Sequence, residues 1–248
     1  MVWKLPEGDE ELLALAKGYP YEAPEASYLY RDGEVRGIGG ADFRGRTPVI
    51  GHGSNRAPSQ IRRKYGHLSG RASEIPVTLA WLRDYDIVYS AHVTRYGAIA
   101  STLQHAPGCR VRIAVTWLDD EQLAYMHRTE GFYSYGSLRG AEIELEAGPS
   151  GTLAEAFVYR GDHGCILKEG KPIGLAAASG EGRPHPLMTQ DVILAEVHRR
   201  YGDGSPLESG ILATIRDPER RRAVLEAMGR EALHEDWPHF RQSLVGGD

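Results

Sequence analysis

Nine residues, Thr47-Pro48-Val49-Ile50-Gly51-His52-Gly53-Ser54-Asn55, constrain this chain more than any other stretch. The apolar pair Val49-Ile50 runs straight into two glycines, a serine and an asparagine. Pro58-Ser59-Gln60-Ile61 then reads as a helix start with proline in its first turn. The stretch therefore predicts a strand, a glycine loop and a helix over 58–66. Such a loop leaves backbone N–H groups free and aims them at one point, which suits a carboxylate, a phosphate or an oxyanion. An ordinary strand-to-helix turn carries the same local pattern, so the loop alone does not define a site.

The rest of the composition narrows the class. With 29 basic and 34 acidic side chains among 248 residues, the chain carries a formal charge of −5, against the basic face that general nucleic-acid binding wants. Its 41% hydrophobic and 25% charged content is that of a soluble globular protein, long enough for one substantial domain or two small ones. No apolar run approaches the roughly 20 residues that span a bilayer, and Met1-Val2-Trp3-Lys4-Leu5-Pro6-Glu7 lacks the apolar core of a secretion signal. Two cysteines, Cys109 and Cys165, are too few for a disulfide framework. We therefore expect a cytoplasmic protein with no membrane partner.

Local patterns place the elements. Asp9 to Lys17 reads as a helix, with Asp9 as its cap and Gly18 and Pro20 as its stop. Gly18 to Arg46 is loop-rich, with a hairpin near 28–37 around Asp32-Gly33. Strands follow at 76–82, 85–93 and 98–103. Pro107-Gly108 marks a turn, and Cys109 to Trp117 alternates as a further strand. Asp119 and Gln122 form a capping-box pair that opens a helix closing at Glu130-Gly131. Ala141–Ala147 and Thr152–Tyr159 form a hairpin around Gly148-Pro149-Ser150-Gly151. Ser179-Gly180-Glu181-Gly182-Arg183-Pro184 reads as a loop or linker, followed by helices over 189–201 and 217–234. The run Arg220-Arg221-Arg222 is a solvated helix face by preference over a phosphate patch.

Glu130 is the candidate catalytic group. A carboxylate at a helix C-terminus meets the negative end of the dipole, which disfavours its ionised form, and a closed site raises its proton affinity further. A general acid/base near neutral pH needs this environment. A frayed, solvated glutamate is the alternative at the same position. No metal site is expected, because His163, His185 and His198 are scattered, and no nucleophile elbow is present.

These segments, in this order, resemble the γ-glutamylcyclotransferase-like family. There a strand enters a Tyr-Gly-Ser-Asn loop, matched here by His52-Gly53-Ser54-Asn55. The strand at Arg95–Thr102, the Pro107-Gly108 pair, the strand Arg110–Trp117, the helix ending in Glu130-Gly131 and the Ala156-Phe157-Val158-Tyr159 segment match in turn. The resemblance covers residues 47–178. It implies an α+β fold built on a small mixed β-barrel with flanking helices, residues 1–46 packing on it as an extension and residues 179–248 forming a helical tail. It also implies a lyase or acyltransferase reaction in which a γ-glutamyl group cyclises to 5-oxoproline and an amine or amino acid leaves. By this match Glu130 is the general acid/base, Gly51, His52, Gly53, Ser54 and Asn55 bind substrate, and Tyr135 is a further contact. No cofactor and no metal are implied. His52 stands where the family has tyrosine, which leaves a kept hydrogen-bonding role, a changed substrate or a lost activity open. A non-catalytic binding protein of the same fold, an interaction protein using the 217–234 helix, and a monomer or homodimer all remain compatible with the sequence.

Overall fold

The computed structural model describes residues 3–243. The signal-peptide reading rests partly on Met1-Val2 and the tail runs through residues 244–248; both pieces lie outside the described residues. Helix α1 spans Asp9–Lys17, with Gly8 rather than Asp9 as its N-cap residue and three acidic side chains in its first turn. Strands β1 (Tyr28–Arg31) and β2 (Glu34–Gly37) pair antiparallel. Their connection, Asp32-Gly33, takes positive φ at both residues, as a tight hairpin turn requires.

The barrel is built from five strands: β3 (Thr47–Gly51), β4 (Ile75–Val93), β5 (Ile99–Leu118), β6 (Tyr133–Leu145) and β7 (Thr152–Gly161). Antiparallel pairing of β4 with β5, β5 with β3, β7 with β6 and β6 with β4, and parallel pairing of β3 with β7, closes the ring. Closure pairs every central strand on both sides and leaves no open edge among the five. The fold is α+β with a mixed barrel. Leu82, Ile87, Ile113, Val115, Leu138 and Val158 are among the side chains buried in its core.

Two strands are longer than local patterns predict. Pro107-Gly108 does not end a strand; β5 runs through it for 20 residues, and β4 runs through Arg83–Tyr85 for 19. The reason is a paired irregularity. The ladder shifts register between Arg83 and Tyr85. There Asp84 takes φ 60° and Gly108 φ 80°, and the Gly108 N–H donates to Asp84 Oδ1 at 2.7 Å. A bulge bends both strands together and the pairing resumes beyond it.

Among the described residues six α-helices flank the barrel: α1, α2 (Pro58–Tyr65), α3 (Asp120–Thr129), α4 (Gln190–Tyr201), α5 (Leu207–Arg216) and α6 (Pro218–Arg230). Helix α5 went unpredicted; its Leu207, Ile211 and Ile215 sit on the apolar face it packs inward. Residues from both terminal segments, including Leu12, Ala16, Ile193 and Trp237, enter the same core as the barrel strands. The arginine run is more than a solvated face. Arg220 pairs with Asp203, Arg222 with Glu219, and Arg221 donates to the carbonyls of Thr214 and Ile215 at the end of α5. No helix of the described residues is long and apolar enough to cross a membrane.

Candidate active site

β3 delivers Ile50 and Gly51 to the barrel end, and the chain breaks there because Gly53 takes a conformation (φ −128°, ψ −130°) outside the strand ladder. A single 3-10 turn, Ser54–Arg56, follows, and Pro58 opens α2. The first amides of such a turn have no acceptor within it, so those of the 53–55 loop are available to a ligand. Gly53 is required by its neighbours. A methyl group added there would lie 2.2 Å from the Tyr19 hydroxyl and 2.6 Å from Ser101 Oγ. Gly53→Ala is therefore expected to cost about 1–3 kcal/mol by overpacking, measured by urea unfolding. Gly51→Ala is the control, because its added methyl meets nothing closer than 3.4 Å.

Across the cavity, the Asp119–Gln122 capping box starts α3 as expected, with Gln122 N–H donating to Asp119 Oδ1 and the Gln122 side chain accepting from Asp119 N–H. The helix ends at Thr129, and Glu130 is its C-cap residue. The Glu130 carboxylate is neither frayed nor isolated. Asn55 Nδ2 donates to Oε1 at 3.1 Å, and Lys64 Nζ donates to the same oxygen at 2.5 Å. The Lys64 and Glu130 side chains are 9% and 10% exposed. The loop and the acid, 75 positions apart in the chain, are thus joined by a hydrogen bond. Among the described residues, Oε2 takes no protein hydrogen bond.

Sequence reasoning missed Lys64. It lies on the buried face of α2 with Ile61 and Tyr65. A lysine at i+3 from a buried isoleucine is the signal that was available, since a buried ammonium requires a partner.

His52 closes the floor of the site. It is 9% exposed, with Nε2 3.1 Å from the Tyr159 carbonyl and Nδ1 3.2 Å from Ser101 Oγ. A carbonyl only accepts, so the network assigns the proton to Nε2 and makes Nδ1 the acceptor. Ser101 Oγ then donates to His52 and accepts from the Tyr19 hydroxyl at 2.7 Å, whose oxygen accepts the Ser101 N–H at 2.9 Å. Burial holds His52 below the ordinary histidine range, against smaller opposing pulls from the Tyr159 carbonyl and Glu130. Burial likewise raises the phenols of Tyr19, Tyr96, Tyr133 and Tyr159, which stay protonated donors.

His52, Asn55, Lys64, Glu130 and these four tyrosines line one cavity of about 620 Å³. Of the residues singled out from sequence, His52, Gly53, Ser54, Asn55 and Glu130 lie on its wall. Gly51 sits behind the loop, beside Arg56 N. Tyr135 packs away from the lining, parallel to Phe157 at 5.1 Å and 4.6 Å from His127. Tyr133, two residues earlier on β6, lines the cavity instead and donates to the Ser101 carbonyl at 3.4 Å. The N-terminal segment supplies Tyr19 and Trp3. Arg63 stacks over Tyr21 at 4.3 Å and over Trp3 at 5.4 Å, which ties that segment to α2 at the cavity mouth.

A second histidine on the wall, His92, is pulled down to about 3 by burial and by neighbouring His163. Both His52 and His92 are thus held neutral in the folded chain, while an unfolded histidine titrates near 6.5. Below that pH the unfolded chain binds more protons, so stability is full above about pH 6.5 and falls progressively as the pH drops toward the folded values. We expect the thermal midpoint to decline steadily between pH 6.5 and pH 4, and the decline to be shallower in His92→Gln. Among the described residues no group of three or more His, Cys, Asp or Glu is arranged to hold a metal ion.

No family model matches this chain, and no curated protein matches it. Among solved structures the chain is similar to one described as a gamma-glutamyl cyclotransferase, at 13% identity and a TM-score of 0.36, over 68% of this chain and 87% of that one. It is also similar to the ensemble-refined crystal structure of an uncharacterized protein from Homo sapiens, at 14% identity and a TM-score of 0.37, over 78% of this chain and 93% of that one. Likenesses of this size carry no functional argument, which rests on the site itself.

Proposed function

We propose that this cavity cyclises the γ-glutamyl group of a small compound to 5-oxoproline and frees the attached amine or amino acid. One observation carries the reading. Asn55 and Lys64 both hold Oε1 of Glu130, so the second carboxylate oxygen remains for a ligand in a cavity of about 620 Å³. The reaction needs little more. The substrate's α-amine attacks its own γ-carbonyl carbon, and folding the chain into that geometry supplies a high effective molarity. Glu130 takes the proton from the ammonium. The new C–N bond closes the five-membered ring, Glu130 returns the proton to the leaving nitrogen and the old amide C–N bond breaks; the ring nitrogen sheds its second proton, which ends on the freed amine, so the ammonium charge passes from substrate to product. The amides of the 53–55 loop face the developing oxyanion or the substrate carboxylate. Lys64 and Asn55 fix the carboxylate's orientation. No metal or covalent intermediate enters this scheme.

The test is direct. Incubation with a panel of γ-glutamyl amino acids and γ-glutamyl amines is expected to release 5-oxoproline, followed by chromatography. A panel with no product from any member overturns the reading.

The Lys64–Glu130 ion pair also favours a second reading. An ammonium already sits on Oε1 of the acid and offsets its charge, as in a binding protein that holds its ligand without turnover. That reading predicts thermal stabilisation by a γ-glutamyl compound with no product. Any product at all rules it out.

A further inference from the structure

The cavity carries a charge that the reaction above does not use. Among its lining residues Glu130 is the one acid, against Arg63, Lys64, Arg95 and Arg128. Lys64 and Glu130 offset each other, and burial holds His52 and His92 neutral. The arginine charges are left over, on a chain whose formal charge is −5. They come from separate elements: Arg63 from α2, Arg95 from the connection between β4 and β5, and Arg128 from the last turn of α3. Arg95 and Arg128 are exposed and Arg63 is half-buried, which puts them where the cavity opens.

Aromatic rings hold these arginines, not carboxylates. The Arg63 guanidinium lies 4.3 Å from the Tyr21 ring and 5.4 Å from that of Trp3. Arg95 lies 5.4 Å from the same Trp3 ring and donates to the Trp3 carbonyl, and Arg128 lies 5.1 Å from Tyr125. Among the described residues none of the three pairs with an acid, whereas exposed Arg139 pairs with Glu155, Arg199 with Glu196 and Arg222 with Glu219. A ring attracts a cation through its quadrupole and carries no net charge, so it fixes a guanidinium and leaves the positive charge unneutralised. The last turns of α2 and α3 favour a cation for their own sake. That accounts for a basic residue at 63 and at 128, but not for Arg95, nor for one cavity collecting all three. A cleft lined by one sign of charge focuses its field on an incoming ion of the other sign.

A γ-glutamyl group does not supply that anion, because its ammonium and its α-carboxylate cancel. The matching charge belongs to the portion that departs. The volume of about 620 Å³, within the range of about 300–1,000 Å³ found for small-ligand sites, has room for both parts. A single carboxylate offers one charge to three guanidiniums. A phosphate monoester offers about −1.5 to −2 near neutral pH and three acceptor oxygens, which planar guanidinium forks match.

We propose that Arg63, Arg95 and Arg128 form an anion site at the cavity mouth, and that it takes a phosphate monoester on the leaving portion of a γ-glutamyl compound. The leaving-portion assignment rests on the function proposed above; the anion site does not.

Release of 5-oxoproline by the full chain tests it, with γ-glutamyl-phosphoethanolamine, γ-glutamyl-ethanolamine, which lacks the phosphate, and γ-glutamyl-aspartate, which carries carboxylates in its place. We expect kcat/KM for the phosphate compound to exceed that for either of the others by about tenfold, the worth of one charge-assisted contact. Arg95→Gln combined with Arg128→Gln should bring the phosphoethanolamine-to-ethanolamine ratio close to one, and the two lysine substitutions at the same positions should restore part of it. Raising NaCl from about 50 mM to about 500 mM should shrink the ratio in the unmodified chain, since open charges are screened. The ratio does not depend on how much of a variant is folded. A ratio near one in the unmodified chain, a ratio unmoved by the double glutamine substitution, or a preference for γ-glutamyl-aspartate overturns the assignment. If no substrate yields 5-oxoproline, the functional reading has failed and a titration with O-phosphoethanolamine alone decides the site. A rise in thermal midpoint that ethanolamine does not give and the double variant loses supports it, and no rise overturns it.

Discussion

Glu130→Gln is expected to slow 5-oxoproline release by about 10²–10⁴-fold, the range a positioned general acid/base supplies. The substitution is chosen for what it keeps. A glutamine carbonyl occupies the place of Oε1 and accepts from Asn55 and Lys64 as the carboxylate does, so the bridge between the 53–55 loop and α3 survives. It loses only the negative charge and the ability to carry a proton. Lys64 then lacks a full counter-charge in a site where both side chains are about nine-tenths buried, so a modest fall in thermal midpoint should accompany the loss. Near-UV circular dichroism should be unchanged. The discriminating measurement is the kinetic split, with kcat falling and KM moving little, because the interaction removed is one made in the transition state. Undiminished turnover in a folded Glu130→Gln chain would take Glu130 out of the mechanism, whatever else lines the cavity.

The largest loss of stability is expected at Arg183. The sequence presents residues 179–184 as a loop or linker, rich in glycine and closed by proline. In the structure Gly180 and Glu181 instead pair antiparallel with Val111 and Arg110 of β5, and the Arg112 N–H donates to the Ser179 carbonyl at 2.8 Å. Arg183 then enters the core. Its side chain is 6% exposed and that of Asp86 0%. Nε donates to Asp86 Oδ1 at 2.7 Å, Nη1 to the carbonyls of Leu175 (3.0 Å) and Ala178 (2.6 Å), and Nη2 to that of Ile87 (3.0 Å). One guanidinium therefore meets one oxygen of an acid and three carbonyls. Arg183→Met leaves all four behind, one of them a buried charge, and should cost about 3–5 kcal/mol in urea unfolding. Arg183→Met combined with Asp86→Leu should recover a large part, since removing both partners is far cheaper than removing one. A cost below about 1 kcal/mol for Arg183→Met would show that the segment is the linker its composition suggests.

Much of the molecule was legible because its signals are local. The Asp32-Gly33 hairpin needs only two residues able to take positive φ. The Asp119–Gln122 box needs only a three-residue spacing. The break from β3 into the 53–55 loop needs only apolar residues followed by glycine. Glu130 was legible as a helix-ending acid for the same reason. Other features were hidden because their causes lie far away in the chain. Pro107-Gly108 looks like a turn until Asp84, on the neighbouring strand, accepts the Gly108 N–H and carries β5 through as a bulge. Tyr135 and Tyr133 both lie in β6, yet Tyr135 packs against His127 and Phe157 while Tyr133 lines the cavity.

The sequence by itself determined the strand–loop–helix order over residues 47–66, the glycine break at residues 51–55 and the seat of Glu130 at the end of its helix, because spacing and backbone preference act within a few residues. Only the tertiary structure decided what that acid meets. Lys64 reaches it across 66 positions and Asn55 across 75, while Tyr19 joins Ser101 across 82. Such meetings depend on barrel closure and strand register, which couple distant residues through packing and hydrogen-bond geometry that no local window contains.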